Sequence, residues 1–241
     1  LFTNGDNDTY PAWILTKILK YRPDVKIVNR SLLNTDWYAE HLIKNEGIPN
    51  FITSTEYNDL RKDTFNQIKE GKMKMPSAGP FSDILIGKLV ETLKKEERPI
   101  YLAATMYRTE IIEKLMEEGS VFGLVTYVNP DNKSYAKHIK QQIDIWLNEF
   151  RLTGLTSWKL KYGKDTAAGK WLSSNYGESV KILLEPLVDH YPEKLDDFFR
   201  LYKNFILQLL PDMKKDKINL EWCKYSDKSG IIKKWCKKNN I

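Results

Sequence analysis

The sequence predicts an α/β fold: a small, mostly parallel, Rossmann-like sheet with flanking helices over residues 1–130, then an all-helical region over 131–241. Three observations predict it. Short β-branched runs, VKIV (25–28), PIYLAAT (99–105) and GLVTYV (123–128), are separated by stretches of helical periodicity. Strands that alternate with helices imply a parallel sheet with right-handed crossovers. Beyond Tyr135 the strand-like runs stop, and apolar residues recur at helical spacing, punctuated by Gly154, Gly163, Pro192 and Pro211.

The elements follow in order. LFTNGD (1–6) reads as a buried strand ending in a turn. Asn7, Asp8 and Thr9 then cap a helix, with Pro11 in its first turn and Trp13, Ile14, Ile18 and Leu19 as its apolar stripe. Arg22–Asp24 turns the chain into VKIV, the second strand. Asn34 or Thr35 opens a helix through Asp36, Trp37, Leu42 and Ile43 that stops at Gly47. FITS (51–54) suits an edge strand, 56–70 is helical, and KMKMPSAGP (72–80) is a loop. Ile84, Leu85, Leu89, Val90 and Leu93 mark a helix before the strand at 99–105, and a further helix over 108–118 leads to the strand at 123–128. The C-terminal helices are expected at 135–152, 166–190, 194–210, 218–225 and 229–238, without a strict repeat of tetratricopeptide length.

Composition excludes several classes. Hydrophobic residues at 41% and charged residues at 29% are ordinary for a water-soluble domain. The longest mainly apolar stretch, around Phe199–Leu210, carries Arg200, Lys203 and Asn204 and is too short and too polar to span a bilayer. The chain opens on Leu1 and Phe2 in strand-like sequence, without a Met, so we expect it to be cut from a longer protein. A net charge of +6 concentrates in C-terminal lysines such as Lys214, Lys217, Lys233 and Lys237. No nucleic-acid motif accompanies them, so they read as a solvated helical surface, and nucleic acid is not an expected partner. Cys223 and Cys236 leave both a disulfide and two buried thiols open, and with three His and no CxxC a zinc site is not expected.

Ligands of parallel sheets favour the crevice beyond the carboxyl ends of the strands. Three loops should meet there: NGDND (4–8), NRSLLNTDW (29–37) and TMYR (105–108). They offer Asp6, Asp8, Asn29, Asn34, Asp36, Tyr107 and Arg108 as candidate ligand-binding residues, because carboxylates and amides suit sugar hydroxyls and hard cations alike. The pocket requires the turn leaving the first strand to lie beside the one leaving Val28. Local roles compete, since Asp8 caps one helix and Asn34 or Thr35 the next. There is no GxGxxG after the first strand, no GxSxG elbow, and no His near Ser31. No catalytic residue, metal ligand or cofactor is therefore assigned.

The run LFTNGDNDTYPAW (1–13) with RPDVKIVNRSLLNTDWY (22–38) resembles the segment after the last transmembrane helix of bacterial protein O-mannosyltransferase-like membrane proteins. RPIYLAAT (98–105) looks like the family's later strand. The resemblance implies a polytopic glycosyltransferase of the lipid-linked-sugar type whose catalytic acid lies in the transmembrane part, so no catalytic residue carries onto this chain. It also implies a tail at the periplasmic face of the inner membrane, a setting that suits a Cys223–Cys236 disulfide. The leading expectation is a non-catalytic accessory domain that docks on the transmembrane portion of the same protein or binds acceptor protein or glycan. Two alternatives stand beside it: a self-contained metal-dependent hydrolase or transferase around Asp6, Asp8 and Asp36, and a structural helical interaction module over 130–241.

Overall fold

The sheet rests on very short pairings. In the computed structural model, which describes residues 1–73, 79–128, 135–150, 167–210 and 212–241, β1 is only Phe2–Thr3. It pairs in parallel with β2 (Val28–Asn29) and β3 (Ile100–Ala103), with Phe2 opposite both Val28 and Leu102 and Thr3 opposite Asn29. With β4 (Ser120–Phe122) and β5 (Val125–Val128) the order is β2-β1-β3-β5-β4. By its internal contacts the chain divides into two units, residues 1–119 with 126–129 and residues 120–125 with 130–241.

Each strand departs from the sequence reading for a visible reason. LFTNGD yields two strand residues because the next amides turn away from the ladder: Asn4 and Gly5 N–H donate to the Asp8 carboxylate at 2.9 and 3.1 Å. VKIV starts late because Val25 N–H closes a turn onto the Arg22 carbonyl at 3.1 Å. GLVTYV is a strand only from Val125, and a strand not expected from the sequence, β4, precedes it. Gly123, at φ 57°, and Leu124 link β4 to β5, and so short a link makes the pair an antiparallel hairpin. FITS is not an edge strand either. Phe51 and Ile52 bury in the core while Thr53 starts the next helix.

The helices of the first unit are α1 (Asp6–Trp13, continuing as a π-helical stretch Ile14–Ile18), α2 (Asp36–Asn45), α3 (Ser54–Lys69), α4 (Pro80–Lys95) and α5 (Glu110–Glu117). A capping box starts α3: Thr53 Oγ1 accepts from Glu56 N–H at 3.2 Å, and Glu56 accepts from Thr53 N–H at 2.8 Å. Phe2, Val28 and Leu102 from the sheet share one core with Leu42 of α2, Leu85 and Leu89 of α4 and Ile112 of α5. Each such side chain contributes roughly 1.5–3 kcal/mol by leaving water. Tyr38 ties α2 to the sheet edge, accepting from Asn29 N–H at 3.0 Å and donating to the Ile27 carbonyl at 3.5 Å.

The second unit is helical around an aromatic core. Its helices are α6 (Tyr135–Asp144, then a π-helical stretch Ile145–Glu149), α7 (Ala167–His190), α8 (Leu195–Leu201, continuing to Leu209), α9 (Asp212–Cys223) and α10 (Gly230–Lys238). Trp222 sits 5.1 Å from Phe199 and 5.1 Å from Tyr202, centroid to centroid. Cys223 and Cys236 form a disulfide that joins α9 to α10, with Cα atoms 6.0 Å apart. The helix expected at 218–225 starts earlier, at Asp212. Part of the 72–80 loop, and the punctuating Gly154, Gly163 and Pro211, lie outside the described residues.

Candidate functional site

Parallel pairing of β1 with both neighbours sends the chain out of β1, β2 and β3 at the same rim. The three outgoing loops are bonded to one another there. Asn4 Oδ1 accepts from Tyr107 N–H at 3.3 Å and from Arg30 Nη1 at 3.4 Å. Ser31 Oγ donates to the Asn4 carbonyl at 2.8 Å, and Thr105 Oγ1 donates to the Asp8 carboxylate. Beneath them, Asn29 Nδ2 donates to Thr9 Oγ1 at 2.9 Å, and Thr9 and Thr3 share a hydroxyl hydrogen bond of 2.7 Å.

Arg30 is the centre of this network, fully buried just past β2. Its Nε and Nη2 both donate to Asp83 Oδ1, at 2.8 and 2.6 Å, and its guanidinium lies 5.7 Å from the Tyr107 ring centroid. A buried guanidinium is tolerable only when paired and hydrogen-bonded, and here the carboxylate, the Asn4 amide and the aromatic face supply that. Asp83 stands in the first turn of α4.

The network sorts the sequence-derived candidates. Asp8 is engaged by two backbone amides and Thr105, so its carboxylate holds loops rather than facing a ligand. Asn29 is buried, its Oδ1 accepting from Leu32 N–H at 3.0 Å. Asn34 donates to the Ser31 carbonyl at 3.1 Å and packs beside Gly79, whose φ of 78° turns the chain into α4. Tyr107 lies partly exposed over Arg30. Asp6 opens α1 in solvent, and Arg108 is exposed. No group of three or more His, Cys, Asp or Glu among the described residues is arranged to hold a metal ion.

Asp36 goes elsewhere. It lines a cleft of about 470 Å³ between the start of α2 and the start of α3, with Trp37, Asn50, Thr53, Tyr57 and Asn58. That volume lies within the range of small-ligand sites. Trp37 is 52% exposed, with His41 and Tyr38 edge-on to its ring at 6.0 and 5.4 Å. Tyr57 closes the inner side, its hydroxyl donating to the Leu33 carbonyl at 3.2 Å and its ring edge-on to Phe81 at 5.0 Å. Burial pushes the Tyr57 phenol up, Arg61 draws it back, and the Asp36 carboxylate adds to the rise. The lining also includes Ser54 and the Glu40–Lys44 ion pair. An aromatic face among carboxylates, amides and hydroxyls has the composition that binds polyols, the ring meeting C–H faces and the polar groups meeting hydroxyls.

Sequence reasoning missed Asn4, Arg30, Asp83 and Thr105 in the network and Trp37, Asn50 and Asn58 in the cleft. Arg30 directly after a β-branched run was a usable signal, since a charge there is either solvated or paired. Its partner lies 53 residues on, at a helix start where acids are common, and no spacing rule links them.

Residues 1–96 match the family model of TMEM260-associated domain 2. The match covers less than half of the chain, and the matched family is that of a domain associated with a membrane protein. It includes Asp6, Asp8, Asn29, Arg30, Asp36, the whole cleft and Asp83, and it stops short of Tyr107 and Arg108. No curated protein and no solved structure matches the chain. No helix among the described residues is long and apolar enough to cross a membrane.

Proposed function

We propose that this chain is a non-catalytic accessory domain of a polytopic membrane glycosyltransferase, placed at the periplasmic face of the inner membrane, and that it binds glycan, or a glycan-bearing acceptor, in the cleft between α2 and α3. The observation that carries the reading is Trp37: a large aromatic side chain half open to solvent that lines the cleft with Asp36, Asn50 and Asn58. The match of residues 1–96 to a domain associated with a membrane protein supports the setting. The O-mannosyltransferase-like resemblance of residues 1–38 supports the sugar. Engagement of Asp8 by loop amides, away from Asp36, speaks against an acidic metal site at the strand ends. The Rossmann-like rim then serves as a frame: its loops are bonded to each other, and α2 leaves from it with the cleft on its flank.

The test uses the full-length membrane protein. Trp37→Ala should lower transfer to acceptor and cut glycan affinity about tenfold, the factor that roughly 1.4 kcal/mol of lost stacking supplies. The 241-residue chain alone should transfer no sugar. Wild-type transfer by both Trp37→Ala and Asp36→Ala would remove the cleft from the mechanism.

A further inference from the structure

Helix α1 with its π-helical continuation is built inside out. Its buried residues are Thr9 and Thr16, small and polar; Trp13 is half-buried, and its other large apolar side chains face solvent. Ile18 is 71% exposed, Leu19 64% and Tyr21 71%, and Tyr10, Ile14 and Leu15 are also open. Ile14 and Ile18, like Leu15 and Leu19, are spaced to lie over one another along the helix, so the exposed groups form a continuous stripe and not scattered single residues. A helix of a water-soluble domain normally presents the opposite arrangement.

The charges along this stripe are mainly positive. Lys17, Lys20, Arg22 and Lys26 border it, against the single acid Asp24 within residues 10–26. From the neighbouring α2, Glu46 pairs with Lys17, while Asp24 pairs with Arg22 at 2.7 Å. Lys20 and Arg22 hold left-handed backbone, φ 54° and 57°, a conformation most residues avoid, and the turn they make leaves Tyr21 projecting. Aliphatic residues in the middle, tyrosines toward the ends and lysines at the border are the profile of a helix lying in a membrane interface. We infer that the outward face of residues 10–22 rests on an anionic lipid bilayer, its apolar stripe in the headgroup–acyl boundary and its lysines against lipid phosphates. Charge complementarity selects this occupant over an apolar protein face, which would leave Lys20 and the net positive charge of residues 10–26 unmatched. The inference stands on this helix alone and does not depend on the cleft beside Trp37.

Cosedimentation of the 241-residue chain with vesicles tests it. At low salt the chain should bind vesicles of phosphatidylcholine with phosphatidylglycerol and bind pure phosphatidylcholine weakly. Ile18→Glu with Leu19→Glu should cut binding at least about tenfold, and Lys20→Gln with Lys26→Gln about fivefold per lysine. These side chains are exposed or lie at the surface, and circular dichroism should show each variant as folded as the parent chain. Absence of binding to anionic vesicles, equal binding to both vesicle types, or unchanged binding by the Ile18→Glu, Leu19→Glu variant would overturn it. So would a concentration-dependent dimer that the same two substitutions abolish, which would assign the stripe to a second copy of this chain.

Discussion

Both units are held by a buried apolar core, and they differ in what is added to it. In the first, very short strands are fixed by polar bonds between loops: Arg30 to Asp83 and Asn4, Asp8 to Asn4, Gly5 and Thr105, Asn29 to Thr9. In the second, Trp146, Trp222, Phe198, Phe199 and Tyr202 fill an aromatic core, and a disulfide clamps two helices beside it. Polar networks specify one geometry but fail sharply when a member is lost, while aromatic packing degrades in proportion to the area removed.

The largest effect expected separates the units most cleanly. Asp83→Ala leaves the Arg30 guanidinium buried without its counter-charge and should cost about 3–5 kcal/mol. Amide hydrogen exchange should show the loss in residues 1–119 and leave residues 175–238 protected; equal loss in both would break the comparison. Next in size, Cys223→Ser with Cys236→Ser frees a loop closed over 13 residues, and about 3 kcal/mol should vanish from the helical unit alone.

The smallest effect is read through pH. Burial holds the Tyr38 phenol up at about 12, against 10 in the open chain, with Asn29 N–H pulling the other way and Glu46 adding to the rise. Because the folded pKa is the higher, this contribution is complete below pH 10 and is lost as pH climbs toward 12. The loss should be about 3 kcal/mol at most. Tyr202, whose hydroxyl donates to Asn219 Oδ1 at 2.6 Å, is raised by burial in the same direction. Tyr38→Phe should therefore flatten the alkaline fall of the first unit only, as seen by local exchange, and Tyr202→Phe that of the second.

Much of the fold was legible in the sequence because helices announce themselves by period and caps. Pro80–Lys95 and Glu110–Glu117 carry unbroken apolar stripes, and Gly230–Lys238 starts at the Ser229 cap. Four of the five strands were legible in position and misjudged in extent, Ser120–Phe122 was not anticipated, and FITS (51–54) forms no strand. β-branched runs mark burial, and Val25, Phe51 and Ile52 are at least partly buried without joining a ladder. The rim was legible through the rule for parallel sheets, but its interior chemistry was not, since Arg30 and Asp83 meet only through folding. The cleft was half legible: Asp36 stood out as a carboxylate at a helix start, whereas Asn50 and Asn58 join it from a loop and from α3. Trp37 lay within the loop NRSLLNTDW (29–37) without being singled out, because exposure is a tertiary property.

The central claim is that the cleft beside Trp37, and not the rim of bonded loops, takes the ligand. Titration of the 241-residue chain with a mannose-containing oligosaccharide, followed by amide and indole nuclear magnetic resonance, tests it most directly. The expected result is saturable movement of the Trp37 indole signal with the amides of Asp36, Asn50 and Asn58, abolished in Trp37→Ala. Movement confined to Asn4–Asp8 and Thr105–Arg108, or none at all, would contradict it.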